Sequence, residues 1–215
     1  MRAKFSSVAA LTICLLFLTS GAFAQIIPVA NFSFETLPSE GLNNSCGGTC
    51  AYSTGEGIPD WTTTGFYTGQ WIPGGYAGNP PAYLGDYLAY TNGGTISQNV
   101  AVVIAGGTYT LQVEMLQRTD APLDGVAQLT VNGVVVATAT GTSGGPGTWS
   151  DWTARFTATP GEAGEELGIL LSANGVQGDF DDIRLNLPER SNLVLLLGFV
   201  IFNLAAVFGF RRKLI

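Results

Sequence analysis

Two apolar runs joined only by Asn132-Gly133 constrain the fold of this chain more than any other part of its sequence. The runs cover residues 129–131 and 134–137. An Asn-Gly connection of two residues is typical of an antiparallel β-hairpin, because both residues readily adopt the positive φ values that this turn needs. The sequence around this pair therefore predicts two neighbouring antiparallel strands.

Alternating apolar and polar residues predict further strands along the rest of the chain. Between residues 25 and 187 we find no sequence typical of an amphipathic helix. Short strands with Gly-rich turns favour an all-β fold, an antiparallel β-sandwich of the jelly-roll type. Residues 38–94 are rich in Gly, Pro, Asn and Tyr and predict long loops around one or two strands. The other predicted strands are 96–104, 108–115, 126–131, 152–158, 166–172 and 180–186.

The two ends of the chain have the composition of targeting segments. Residues 1–24 combine a basic start, an apolar run and a final Ala-Phe-Ala, which predicts a signal peptide; an uncleaved anchor is the alternative. Residues 193–210 form an uncharged apolar run of about the length that crosses a bilayer. Basic residues follow this run and are expected to stay in the cytoplasm. We therefore predict that residues 25–187 form an exported domain with a C-terminal transmembrane helix.

The segment 188–215 resembles the PEP-CTERM sorting signal of bacterial exported proteins. The resemblance rests on a Pro-Glu element, an apolar helix and a basic end, here Pro188, Glu189, residues 193–210, Arg211, Arg212 and Lys213. It implies cleavage by an exosortase-type membrane protease and a location at the outer face of the cytoplasmic membrane, at the cell surface or in the extracellular matrix. Arg190 stands where the family pattern has proline, and a plain single-pass anchor remains the alternative.

The exported domain is strongly acidic. Residues 25–187 contain three basic residues and fifteen acidic ones, a net charge of −12, and the chain contains no histidine. Nucleic acid is excluded as a partner because there is no basic face to hold a phosphate backbone. Triads and zinc sites that depend on histidine are excluded as well. An acidic domain of this kind suits hard cations such as Ca²⁺, which take oxygen ligands.

Two cysteines remain after removal of the signal peptide, Cys46 and Cys50, in a Gly-rich loop. Outside the cytoplasm, two cysteines so close together are expected to form a local disulfide. A redox or metal-binding pair is the alternative.

Three carboxylates lie within four residues at the start of the last predicted strand: Asp179, Asp181 and Asp182. Residues two apart in a strand share a face, so Asp179 and Asp181 are expected on one face and Asp182 on the other. Neighbouring carboxylates repel one another and need a compensating group. The spacing leaves three interpretations of these carboxylates open: calcium ligands, a catalytic acid or base, and a solvated strand end.

The order of several motifs resembles the galactose-binding-like jelly-roll superfamily, which includes many carbohydrate-binding modules. The motifs are residues 31–35 (NFSFE), 58–61 (IPDW), 85–90 (GDYLAY) and 180–185 (FDDIRL). In that family an acidic residue of the first motif and one of the last bind a structural calcium. The resemblance implies a calcium site formed by Glu35, Asp181 and Asn31.

Three segments also resemble the cyclases of hapalindole-type alkaloid biosynthesis, a branch of this superfamily: residues 31–35 (NFSFE), 85–90 (GDYLAY) and 179–181 (DFD). In those enzymes an Asp acts as the acid in a rearrangement and cyclisation, and an aromatic pocket holds an indole. The resemblance implies that Asp179 would be the acid and Tyr90 part of the pocket.

Eight aromatic residues between positions 61 and 90 suggest a binding surface, because flat rings with polar edges suit sugars. Trp61 is expected in the core, whereas Trp71 and Tyr76 are the better candidates for exposed rings; the alternative is that most of the eight are core or loop residues. The expected ligand-binding residues are Trp71, Tyr76, Tyr87 and Tyr90.

From these features we expect an exported, membrane-tethered or exosortase-processed surface protein whose calcium-stabilised sandwich binds a polysaccharide or another extracellular glycan. A purely structural surface or matrix protein is the first alternative. A cyclase-like enzyme that uses Asp179 as acid is the second.

Overall fold

The computed structural model describes residues 24–188, and more than half of this region lies in β-strands. The only helical elements described are two short 3₁₀ turns, Tyr76–Gly78 and Pro160–Glu162. The strands are β1 (Ala24–Ile27), β2 (Asn44–Gly47), β3 (Cys50–Tyr52), β4 (Thr62–Thr64), β5 (Thr68–Ile72), β6 (Leu88–Thr91), β7 (Thr95–Val102), β8 (Thr108–Gln117), β9 (Gly125–Val131), β10 (Val134–Thr138), β11 (Thr148–Thr157), β12 (Glu166–Ala173) and β13 (Gly178–Pro188).

The strands form two antiparallel sheets that pack as a sandwich. The larger sheet has eight strands in the order β11-β8-β13-β6-β5-β3-β2, with β1 paired to β13. The smaller sheet has the order β10-β9-β12-β7-β4. The prediction of an all-β antiparallel sandwich is thus confirmed.

The Asn-Gly hairpin is present as predicted. Strands β9 and β10 pair in antiparallel register with Val134 opposite Val131. The two turn residues between them have positive φ values, 48° for Asn132 and 76° for Gly133, which fits the turn type that this dipeptide favours.

The prediction of one or two strands in residues 38–94 is wrong, because five strands lie there: β2 to β6. Most of them have three to five residues, which is too short for a visible alternation. Strands β5 and β6 are also buried on both faces along almost their whole length. A strand covered on both faces carries no alternating pattern for the sequence to reveal.

Two separate hydrophobic clusters lie on opposite faces of the larger sheet. The main core fills the space between the sheets and includes Phe34, Phe180 and Trp61, so the prediction that Trp61 is a core residue is confirmed. The second cluster lies on the outer face and consists of Cys50, Trp71, Ala82, Leu88, Tyr90 and Leu116. The loop between β5 and β6 contributes Ala82 and covers part of this outer face.

Several predictions concern residues that lie outside the described part of the chain. They are the signal peptide 1–24, apart from Ala24, the apolar run 193–210, and the sorting residues Glu189, Arg211, Arg212 and Lys213. Pro188 is described as the last residue of β13. Within residues 24–188 there is no helix of the length and apolar character that a membrane span requires.

Candidate active site

Aromatic side chains from neighbouring strands meet on the outer face of the larger sheet. Tyr52 of β3 lies opposite Trp71 of β5, and Tyr90 of β6 lies opposite Asp179 of β13. Because alternate residues of a strand share a face, this register places the three rings and the carboxyl group on the same side of the sheet.

These side chains form a pocket of about 300 Å³. Its lining is mainly aromatic, with one charged side chain and two amides. This composition is typical of small-molecule sites, in which apolar walls carry a few polar groups. The lining residues are Cys46, Tyr52, Tyr67, Trp71, Tyr76, Tyr90, Asn92, Arg118 and Gln177.

The aromatic walls are held by specific contacts. The rings of Tyr52 and Tyr90 meet edge to face with centroids 6.1 Å apart. The hydroxyl of Tyr90 donates a hydrogen bond to the carbonyl of Ser53 at 2.7 Å. Gly69 makes this approach possible, because a Cβ atom there would lie 2.3 Å from that carbonyl oxygen. These contacts place the ring of Tyr90 in the pocket wall.

A disulfide between Cys46 and Cys50 forms one edge of the pocket. The indole nitrogen of Trp71 donates to the Cys50 sulfur at 3.3 Å. Trp71 is only 5% exposed, so the expectation that it is exposed is wrong. The disulfide and the loop that follows β5 enclose its ring, whereas Tyr76 in that loop is 42% exposed, as expected.

Asp179 is a buried carboxyl group directly beside this pocket. Its side chain is 1% exposed, and its Oδ1 accepts a hydrogen bond from Gln177 Nε2 at 2.6 Å. Burial raises the pKa of Asp179 to about 7, although the hydrogen bond from Gln177 and the charge of Arg118 act in the opposite direction. With a pKa near 7, a large share of this carboxyl group is protonated at neutral pH, as a general acid requires.

Arg118 supplies the one charged group in the pocket lining. Its guanidinium lies 5.4 Å from the ring centroid of Trp71 and 5.9 Å from that of Tyr76. It donates two hydrogen bonds of 2.8 Å to the carboxylate of Asp120 and one of 2.8 Å to Gln177. The ion pair with Asp120 compensates the positive charge at the pocket.

The structure brings together part of the predicted site. Trp71, Tyr76 and Tyr90 line the pocket and Asp179 adjoins it, whereas Tyr87 is not a lining residue. The backbone N–H of Tyr87 donates to Glu35 instead.

Sequence reasoning missed five further polar or aromatic lining residues. Three of them left a signal: Gln177 precedes Asp179 by two positions and so shares its face, Arg118 is one of only three basic residues in the domain, and Tyr67 is one of the eight aromatic residues between positions 61 and 90. The other two gave no signal before the strand order was known. The missed residues are Tyr52, Tyr67, Asn92, Arg118 and Gln177.

The expected alternation of the three carboxylates is broken by a β-bulge between Asp181 and Arg184. Asp182 adopts a φ of 46° there, and its carboxylate lies 3.2 Å from Nε of Arg184. Ile183 takes the next core position instead. The prediction that Asp182 lies on the face opposite to Asp179 and Asp181 is therefore wrong, because a bulge places two successive residues off the core face.

The candidate calcium ligands Glu35 and Asp181 both contact the turn that precedes β6. Glu35 accepts backbone hydrogen bonds from Asp86 and Tyr87, and Asp181 Oδ2 accepts one from Leu84 at 2.9 Å. Burial raises the pKa of Asp181 to about 7, and repulsion by Glu35 adds to this shift while backbone hydrogen bonds oppose it. Two carboxylates that repel one another at one turn fit a cation.

Asn31 does not complete this donor set with its side chain. Its amide donates to the carbonyls of Thr36 and Pro59 and accepts from the N–H of Thr36. Among residues 24–188 there is also no group of three or more His, Cys, Asp or Glu side chains that could hold a metal. A calcium ion near Glu35 and Asp181 would need main-chain carbonyls and water for its remaining ligands.

Comparison with known proteins identifies a family to which this sequence belongs. The sequence profile of the HpiC1-like family, HpiC1 cyclase, matches residues 25–186. None of the curated proteins matches this sequence.

Solved structures of cyclases share the fold. The apo form of a cyclase from Fischerella sp. superposes with a TM-score of 0.59 and 22% identity, covering 78% of this chain and 98% of the other. The Stig cyclase Fisc from Fischerella sp. TAU, in complex with (3Z)-3-(1-methyl-2-pyrrolidinylidene)-3H-indole, gives 0.56 and 22%, with 78% and 100% covered. The CBM22-1 xylan-binding domain from Paenibacillus barcinonensis Xyn10C gives only 0.46 and 14%, with 80% and 99% covered.

The expectation of a carbohydrate-binding surface protein, ranked above a cyclase, is overturned by the family match over residues 25–186. The carbohydrate-binding expectation also depended on Trp71 as an exposed ring on which a sugar could stack. That ring is buried in the wall of a pocket with a carboxyl group beside it.

Proposed function

Because this chain belongs to the HpiC1-like cyclase family, we propose that its sandwich is a cyclase that binds an indole-type substrate in the aromatic pocket and uses Asp179 as the acid. One observation carries the proposal beyond family membership. A buried carboxyl group with a raised pKa adjoins a pocket walled by Tyr52, Trp71, Tyr76 and Tyr90.

The chemistry follows from these groups. Proton transfer from the Asp179 carboxyl to the substrate forms a new bond to hydrogen and leaves a cation on the substrate. Intramolecular attack by a π-bond closes the ring, and loss of a proton from the cyclised cation restores neutrality. Aromatic faces stabilise a nearby cation by about 0.5 to 2 kcal/mol each, so the pocket walls favour the charged intermediate.

Access to the carboxyl group requires a local movement. Asp179 is 1% exposed and is not one of the lining residues. Its hydrogen-bond partner Gln177 and its cross-strand neighbour Tyr90 do line the pocket. A bound substrate therefore reaches the carboxyl group after a shift of the Tyr90 side chain, while Gln177 keeps its hydrogen bond to Oδ1.

The test of this function is conversion of an indole-isonitrile substrate by the purified domain, residues 25–187. Proton addition followed by proton loss conserves mass, so we expect a product of unchanged mass and altered chromatographic retention. The indole compound bound by the Fischerella enzyme serves as a binding probe, and quenching of tryptophan fluorescence that is lost in Trp71→Phe reports occupancy of the pocket. Absence of both conversion and quenching in a folded protein would contradict the proposal.

Calcium would stabilise the fold in this proposal, with Glu35 and Asp181 as its carboxylate ligands. A ligand at about 100 times its Kd contributes about 2.7 kcal/mol, which corresponds to a change in Tm of roughly 5–10 °C for a domain of this size. We expect a chelator to lower the Tm by this amount and added Ca²⁺ to restore it, as measured by calorimetry.

The matched control for this experiment is Glu35→Gln, whose Tm should respond much less to the chelator. A wild-type melting curve that neither chelator nor Ca²⁺ shifts would show that the two carboxylates act only as acceptors for the backbone N–H groups of residues 84–87.

The cyclase would act outside the cytoplasm, tethered through residues 188–215 or released from them by an exosortase-type protease. The Cys46–Cys50 disulfide supports this location, because such bonds persist in oxidising compartments. Membrane fractionation of cells that produce the full chain, compared with a variant that ends at residue 187, tests the tether.

A further inference from the structure

A continuous series of hydrogen bonds leads from an ion pair at the pocket to the buried acid. Arg118 Nε and Nη2 donate to Asp120, each at 2.8 Å. Arg118 Nη1 donates to Gln177 Oε1 at 2.8 Å, and Gln177 Nε2 donates to Asp179 Oδ1 at 2.6 Å. Arg118 and Gln177 both line the pocket, whereas Asp179 does not.

The donor and acceptor chemistry allows one orientation of the Gln177 side chain. A guanidinium group has only donors, so the amide oxygen of Gln177 must face Arg118. The amide NH₂ must then face Asp179, where it donates to Oδ1. The same amide in the opposite orientation would place two donors together at Arg118.

This orientation makes the two oxygens of Asp179 different. Oδ1 is held as an acceptor by Gln177. Oδ2 is buried and has no hydrogen-bond partner, so it is the oxygen of this carboxyl group that is left free to contact a substrate.

We propose that Gln177, oriented by Arg118, is a positioning residue that holds the Asp179 carboxyl group with Oδ2 as the oxygen free to contact the substrate. This inference rests on the proposed role of Asp179 as the acid. Gln177 itself exchanges no proton, because a carboxamide is neither an acid nor a base at neutral pH. Asp120 and the rings of Trp71 and Tyr76 in turn fix the guanidinium of Arg118.

The variants Gln177→Ala and Arg118→Lys test the proposal by steady-state kinetics. Mispositioning of a catalytic group by about 1 Å costs roughly 100-fold, so we expect kcat of Gln177→Ala to fall about 10- to 100-fold while KM changes less than about threefold. Arg118→Lys should also lower kcat, because a lysine cannot hold Asp120 and Gln177 together in this planar geometry.

The double variant, Arg118→Lys with Gln177→Ala, shows whether Arg118 acts through Gln177 or independently of it. If Arg118 acts through Gln177, the double variant should be no slower than the slower single variant. If the two residues act independently, the two fold-losses should multiply. Multiplying losses, or a kcat of Gln177→Ala that is unchanged or higher than that of wild type, would overturn the proposal. A higher kcat would mean that Gln177 only blocks access to Asp179.

Gln128→Ala is the matched control. Gln128 lies in β9 of the smaller sheet, and its amide donates to Thr138. Its removal deletes the same type of side chain at a site remote from the pocket face, and kcat should not change.

A measurement without substrate distinguishes the failure of this inference from the failure of the proposed function. The side-chain amide signals of Gln177 in ¹H–¹⁵N spectra should be slow to exchange in the wild type and should shift in Arg118→Lys and in Asp179→Asn. Unshifted signals in an active enzyme overturn the positioning role alone. A folded wild type that converts no substrate overturns the proposed function and this inference with it.

Discussion

Replacement of Asp179 by Asn should lower the rate of cyclisation at least about 100-fold, because a positioned general acid contributes typically 10²- to 10⁴-fold. The side chain of Asn has the same shape, and its oxygen still accepts the hydrogen bond that Gln177 donates to Oδ1. What the variant loses is the proton that Asp179 transfers. Single-turnover kinetics with an indole-isonitrile substrate measure this step directly.

The fold should tolerate this change. Asp179 is 1% exposed, and a buried carboxylate is costly when no cation contacts it directly. A neutral amide at this position should therefore leave the Tm unchanged or raise it. Asp151→Asn is the matched control, because Asp151 is exposed on β11, which β8 separates from β13, and should not affect the rate. A cyclisation rate for Asp179→Asn within about threefold of that of wild type would contradict the assignment of the acid.

Replacement of Phe180 by Ala should destabilise the domain by about 3–5 kcal/mol, the range for removal of a buried phenylalanine side chain. Phe180 is fully buried in the main core. Its ring packs against two glycines, Gly178 of the larger sheet and Gly125 of the smaller sheet. A Cβ atom added to these glycines would lie 2.7 Å and 3.2 Å from the Phe180 ring, respectively. No neighbouring side chain can fill the resulting cavity without moving the strands.

Urea unfolding should show this loss as a lower midpoint with an unchanged slope, and the Tm should fall by roughly 10 °C. Val176→Ala is the control, because Val176 is 63% exposed and its truncation should cost less than about 0.5 kcal/mol. A loss below about 1 kcal/mol for Phe180→Ala would contradict the packing described for β13.

The sequence predicts those strands that pack against the other sheet on one face and are exposed to solvent on the opposite face. Strands β7, β8, β9, β11 and β12 have this character along most of their length, and the Asn132-Gly133 turn fixes the register of β9 with β10. Strands β5 and β6 do not, because the loop between them covers their outer face. Their composition of Gly, Tyr and Thr then resembles that of a loop.

The candidate site divides in the same way. Asp179 and Tyr90 belong to short motifs and could be identified by resemblance. Arg118 reaches Gln177 because β8 pairs with β13, which follows it by some sixty residues in the chain. A pairing between strands so distant in the chain cannot be predicted from the sequence around either residue. The bulge at Asp182 has the same origin, since an extra residue in one strand is defined only relative to its partner.

The position of the two hydrophobic clusters on opposite faces of one sheet affects how the sequence of this fold can diverge in evolution. Tyr52, Trp71, Tyr76 and Tyr90 belong to the wall of the pocket and not to the packing between the sheets. Substitution at these four positions should therefore alter the shape of the pocket while the core between the sheets stays intact, and at Trp71 and Tyr90 the cost in stability arises in the outer cluster. A scaffold of this kind can acquire new ring-closure products one wall residue at a time, provided that Asp179 and the side chains that orient it are kept.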